Sequence, residues 1–298
     1  MANLESTSLA AGLARVKFSA LWKGSVADFL RDNPDVQNAY DKTMSELADA
    51  VQLLELSGAA PVAEEDGKVA GNVAARMVIN GLDFLVVSKT GKLPGPPRSI
   101  EDEFCIVIVT GFDREEWSLE YYAKDSSTLP TSDSPLHHAV LHAAAEFHWD
   151  ETPLVSLHGH ALETADEAER LGLPCSVEET LFSTPDDMYA LLSLLKENPF
   201  PLHKVFIRKG HGFVVLGKTT SETVETFKTN VVPFIQGSVG DMINSVPGAW
   251  HQRKPARGRK RGHKTEKETV HKVQGKTRAS KRILQRAHKV AKHSTGHV

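Results

Sequence analysis

Two histidines separated by one residue, His158 and His160, follow the apolar run Pro153-Leu154-Val155-Ser156-Leu157. That run reads as a buried strand, and in extended chain residues two apart point to the same side. A third histidine, His211, stands between Gly210 and Gly212 at the junction of two short apolar runs, Val205-Phe206-Ile207 and Phe213-Val214-Val215-Leu216. Three imidazoles on rigid elements, with glycines allowing close approach, have the chemistry of an open metal site. The plainer reading is that His158 and His160 are ordinary strand histidines. His137, His138, His142 and His148 are read as surface or packing residues of a helix.

Other residues able to do chemistry cluster in loops. Asp133 sits in Pro130-Thr131-Ser132-Asp133-Ser134-Pro135, just before a helix. It can transfer a proton, or it can simply cap the helix. Glu178 and Glu179 read as a solvated face, and Lys89 and Lys92 as loop charges that add attraction for an anion. Gly71 and Gly91 serve at least backbone geometry.

The elements that must position these groups follow from pattern. Val36, Tyr40, Met44, Leu47, Val51 and Leu54 recur at helical spacing, after Pro34 and before Gly58. Val69–Ile79 reads as a strand interrupted by a glycine, Asn80-Gly81 as a hairpin turn, and Asp83–Ser88 as its return. Strands are expected at 104–109, 117–123, 153–158, 204–208 and 213–216. Helices are expected at about 134–147, 163–171, 185–195 and 220–234. This irregular alternation implies an α/β domain with a mixed or antiparallel sheet.

Composition sets further bounds. The chain has 298 residues and a net charge of −3, which hides a split. His251–Val298 holds 16 lysines and arginines against Glu266 and Glu268, a balance of +14, whereas the remainder carries −17. An acidic globule with a basic tail suggests an interaction tail: a nuclear-localisation or polyanion-binding segment for nucleic acid or an acidic membrane, or a solvated, disordered extension. No apolar run reaches the length of a membrane span, and no secretory or transit signal is evident. Cys105 and Cys175 lie far apart and read as reduced thiols of an intracellular, cytoplasmic protein, with a nuclear location open through the tail. Residues 1–32 are read as an N-terminal extension, 33–238 as the domain and 239–298 as the tail.

Ordered landmarks between Val69 and Phe227 resemble the class II aldolase/adducin domain family. They are Gly71-Asn72-x-x-x-Arg76, Ser88-Lys89-Thr90-Gly91, Pro130–His137, His158-Gly159-His160, Ser183-Thr184-Pro185 and Arg208-Lys209-Gly210-His211-Gly212-x-x-Val215-x-Gly217. The resemblance implies a three-layer sheet flanked by helices, often a homotetramer with sites at subunit interfaces. It implies that His158, His160 and His211 hold zinc or another divalent ion. That ion would activate a small hydroxy-carbonyl substrate through an enediolate, in a lyase or isomerase reaction. Gly71, Asn72, Thr90, Gly91, Thr131 and Ser132 match positions where relatives hold an anionic group, and Asp133 matches the family's acid/base glutamate, one methylene shorter. This chain also has no tyrosine after Tyr189, where sugar-phosphate aldolases of the family use one, and Glu178 or Glu179 is a lesser candidate for catalysis. The alternative is an adducin-like binding or scaffold protein without turnover, whose basic tail meets a polyanion or an actin-type partner.

Overall fold

The computed structural model describes residues 16–64, 66–94 and 107–235. Eight strands are β1 (Ser19–Ser25), β2 (Asn72–Ile79), β3 (Leu82–Val87), β4 (Val107–Asp113), β5 (Ser118–Ala123), β6 (Val155–Gly159), β7 (Val205–Arg208) and β8 (Gly212–Gly217). They form one sheet in the order β1-β5-β4-β3-β2-β6-β8-β7. Among the described strands only β1 and β5 pair in parallel, so the sheet is mixed, as the patterning implies. Among the described residues six α-helices cover it: α1 (Val26–Asp32), α2 (Gln37–Leu56), α3 (Ser134–Phe147), α4 (Ala165–Leu171), α5 (Pro185–Glu197) and α6 (Thr220–Asn230).

Alternation along each strand sorts the core into two. Val73, Ala75 and Met77 of β2, Phe84 and Val86 of β3, and Phe213 and Val215 of β8 face one side. There they meet Phe29 of α1, Met44, Leu47, Val51 and Leu54 of α2, Ala168 of α4 and Phe227 of α6. Ala74, Leu85, Val87, Val214 and Leu216 face the other side, against Leu136, Ala139 and Val140 of α3 and Met188, Leu191 and Leu195 of α5. The result is three layers: helices, sheet, helices.

The helical spacing in α2 is fully realised, since Val36, Tyr40, Met44, Leu47, Val51 and Leu54 are all buried. Asn80 and Gly81 take φ of 51° and 83°, the left-handed pair that a two-residue hairpin turn demands. Residues 19–32 differ from the expected extension. Ser19–Ser25 forms the edge strand β1, and Ser25 caps α1 by accepting a hydrogen bond from the Asp28 N–H. Neither signal is strong: Ser-Ala-Leu-Trp-Lys-Gly-Ser has no clean alternation, because an edge strand buries little of itself. Phe104–Ile106, Cys105 included, the chain before Val16 and the basic segment 251–298 lie outside the described residues. No described helix is long and apolar enough to cross a membrane.

Leu47 is fully buried in the α2 face of the core. Leu47→Ala is expected to cost about 2–5 kcal/mol, read as a lower urea midpoint at unchanged slope.

Candidate metal centre

Register brings the site together. Asn72 at the start of β2 lies directly opposite His158 near the end of β6, and Val214 of β8 lies opposite His158 on its other side. Val155 and Leu157 of β6 point to the α2 face. By alternation Ser156 and His158 therefore point to the α3/α5 face. The β7–β8 turn then crosses the end of β6 so closely that only glycine fits. A Cβ on Gly212, whose φ is +126°, would stand 2.0 Å from the Gly159 carbonyl oxygen, and one on Gly159 would stand 2.6 Å from the Phe213 ring. This crossing sets His211 beside His158, with ring centroids 4.6 Å apart.

One nitrogen from each of His158, His160 and His211 lies within 4.8 Å of the other two. The Nε2 atoms of His158 and His160 are 3.1 Å apart. Three nitrogens bound tetrahedrally to zinc would be about 3.3 Å apart, so the His158–His160 spacing fits such an ion. The carbonyl of Phe213 accepts from Nδ1 of His158 at 2.8 Å, which leaves Nε2 with its lone pair toward the cluster. On His211, Nδ1 lies 3.1 Å from an Asp187 carboxylate oxygen, without the alignment of a hydrogen bond.

Asp133 is at the N-cap of α3, yet its side chain makes no capping bond. The carboxylate turns inward, 3.7 Å from Nε2 of both His158 and His211. Asn72 donates to one oxygen and the Ser183 hydroxyl to the other, each at 2.6 Å. A chain of donors stands behind Asn72. Its Nδ2 faces Asp133, so its Oδ1 accepts from Nε2 of His137 at 2.5 Å. That fixes the His137 tautomer and leaves Nδ1 to accept from the Ser156 hydroxyl at 2.6 Å. His137 is thus a buried member of the site, not a surface or packing residue. Its position four residues past Asp133, one helical turn, carried that signal.

Ser183 also links the two carboxylates. Its N–H donates to Asp187 at 2.9 Å, and it holds φ of 58°, a left-handed conformation rare for serine. Asp187 is fully buried, accepts from the Thr180 hydroxyl and pairs with the buried Arg208. In the sequence Asp187 reads only as a first-turn acid after the Thr184 cap. The cap forms, yet the carboxylate serves Arg208 and His211.

An open cleft of about 560 Å³ lies over these groups. Gly71, Asn72, Thr90, Gly91, Thr131, Ser132, Asp133, His160 and His211 all line it, so the expected anion-binding residues share one space with two of the three expected metal residues. His158 does not line it but shares a small neighbouring cavity with Asp133 and His211. Phe182 and Lys92 also line the cleft. Lys92 is buried and donates to the Gly71 carbonyl at 2.8 Å, which makes it a loop staple rather than a free loop charge. Glu178 and Glu179 are exposed.

Burial dominates the electrostatics. It pushes His211 down to about 4 and His137 to about 4, and holds His158 well below the usual imidazole range. Neutral imidazoles are what a metal needs. Burial opposes charge on Asp133, but the facing His211 and His158 and the bonds from Ser183 and Asn72 outweigh it, so the carboxyl titrates far below its usual range. Because His137 titrates lower when folded than unfolded, its contribution to stability is complete above about pH 6.5 and is lost as pH falls toward 4. Urea midpoints are expected to fall across that window, and His137→Asn is expected to flatten part of the slope.

No protein-family model and no curated protein matches the chain. Solved structures similar to it include aldolases and class II aldolase domains. A sugar-phosphate aldolase from Thermotoga maritima shares 14% identity at a TM-score of 0.42, over 68% of this chain and 100% of that one. The N-terminal class II aldolase domain of a conserved protein from Thermoplasma acidophilum shares 14% at 0.41, over 67% and 93%. L-fuculose 1-phosphate aldolase from Glaciozyma antarctica PI12 shares 15% at 0.40, over 65% and 70%. Identity this low carries no residue role from those proteins to this one.

Proposed function

We propose that the chain is a divalent-metal-dependent lyase or isomerase acting on a small anionic hydroxy-carbonyl compound. The observation that carries this reading is the convergence of three imidazole nitrogens within 4.8 Å, beside an ionised, buried carboxylate, at an open cleft. His158, His160 and His211 hold the ion, zinc being the best match to three neutral nitrogens. Once bound, such an ion polarises a carbonyl oxygen as a Lewis acid and lowers the cost of removing a neighbouring proton or breaking a neighbouring carbon–carbon bond.

The chain's own groups do the rest. Asp133 accepts or returns the proton, with one oxygen steadied by Asn72 and the other by Ser183. The Phe213 carbonyl keeps His158 oriented, and the Asp187 carboxylate lies against His211. Gly71, Thr90, Gly91, Thr131 and Ser132 take the substrate's anionic group through hydroxyl and backbone donors along the cleft. A homo-oligomer accords with this reading. A second reading, a binding protein without turnover, is favoured by the +14 balance of residues 251–298, which suits a polyanion.

Untagged protein is expected to carry about one equivalent of zinc or a similar ion by elemental mass spectrometry. His158→Ala/His160→Ala is expected to lose it. Absence of metal after incubation with zinc and removal of excess overturns the enzyme reading. Asp133→Asn is expected to keep the metal and lose about 10²- to 10⁴-fold in turnover on whichever sugar phosphate or hydroxy acid a screen finds.

A further inference from the structure

Lys17 stands just before β1, in a stretch whose sequence carries no motif. Its ammonium lies 3.4 Å from the centroid of the Phe182 ring. Phe182 in turn lies against His211, with centroids 5.9 Å apart, and lines the cleft. The Nζ atom is enclosed and has no hydrogen-bond partner among the described residues. An enclosed ammonium with three donors and no acceptor is costly, and a ring face returns only part of what water gave. Two features keep the charge in place. The Asp133 carboxylate is near enough to raise the Lys17 pKa against the lowering effect of burial. The net value of about 8 leaves it a cation at neutral pH.

These contacts put an unsatisfied cation behind Phe182, a residue that lines the cleft and lies against His211. We propose that Lys17 binds an anionic oxygen of the ligand held at the three histidines, with Phe182 as the platform that aims it. The proposal rests on the metal-site reading and narrows the substrate class. The group at the metal carries a carboxylate oxygen rather than a neutral ketone alone.

The test uses the full chain, loaded with zinc and desalted, titrated calorimetrically with oxalate as a probe that pairs metal chelation with anionic oxygens. Lys17→Met keeps the stem and its packing on Phe182 but removes the charge, whereas Lys17→Arg keeps the charge. Lys17→Met is expected to retain the metal and bind oxalate about tenfold to a hundredfold more weakly, as loss of a charge-assisted bond implies. Lys17→Arg is expected to stay within a few-fold of wild type. Lys17→Met that holds metal and binds oxalate as wild type does overturns the proposal. So does loss of the metal in that variant, which would make Lys17 part of the scaffold. Metal-bearing wild type that ignores oxalate overturns it too and leaves the metal reading standing. Wild type that takes up no metal overturns the metal reading itself, and this inference with it.

Discussion

A buried carboxylate is the constraint from which most of this site follows. Asp133 is almost fully enclosed, and charge in such a place is tolerated only when its oxygens are hydrogen-bonded and positive or polarisable groups face it. Each requirement is met by a different element. Asn72 comes from the start of β2, Ser183 from the turn before α5, His158 from β6 and His211 from the β7–β8 turn. The carboxylate therefore ties the helix layer of α3 and α5 to the middle of the sheet. Loss of any one partner would strand charge, not merely remove a contact.

The fold supplies these partners by register. β2, β6 and β8 lie side by side, so Asn72, His158 and Val214 form one row across three strands. A one-residue slip in β6 would turn His158 toward the α2 core and Leu157 toward Asp133. Apolar alternation on both faces guards against that slip, which links ordinary core packing to the geometry of the donors.

Much of this was legible in the chain. His158, His160 and His211 converge because alternation, glycine placement and apolar runs state which face each strand shows. The loops of Gly71, Thr90 and Thr131 meet over them in one cleft. The helix α2 and the Asn80-Gly81 turn follow from spacing and from left-handed backbone chemistry. What stayed hidden depends on distant partners. Asp133 and Asp187 both occupy positions where acids commonly serve helix ends, and only tertiary contacts show that their carboxylates turn inward. His137 looks like any helical histidine until Asn72 and Ser156 stand on either side of it. Lys17 and β1 left no periodic trace, because an edge strand is half solvent.

That edge strand has a practical bearing on handling the protein. A chain trimmed to residue 33, where the sequence suggests the domain begins, would lose β1 and leave β5 as the new rim of the sheet. β5 carries Leu119, Tyr121 and Ala123, all buried in the intact fold. A bare rim with such side chains behind it is a template for adding strands from other molecules. The shortened protein would then form aggregates for reasons unrelated to its chemistry, and poor yield from it would say nothing about what the cleft does.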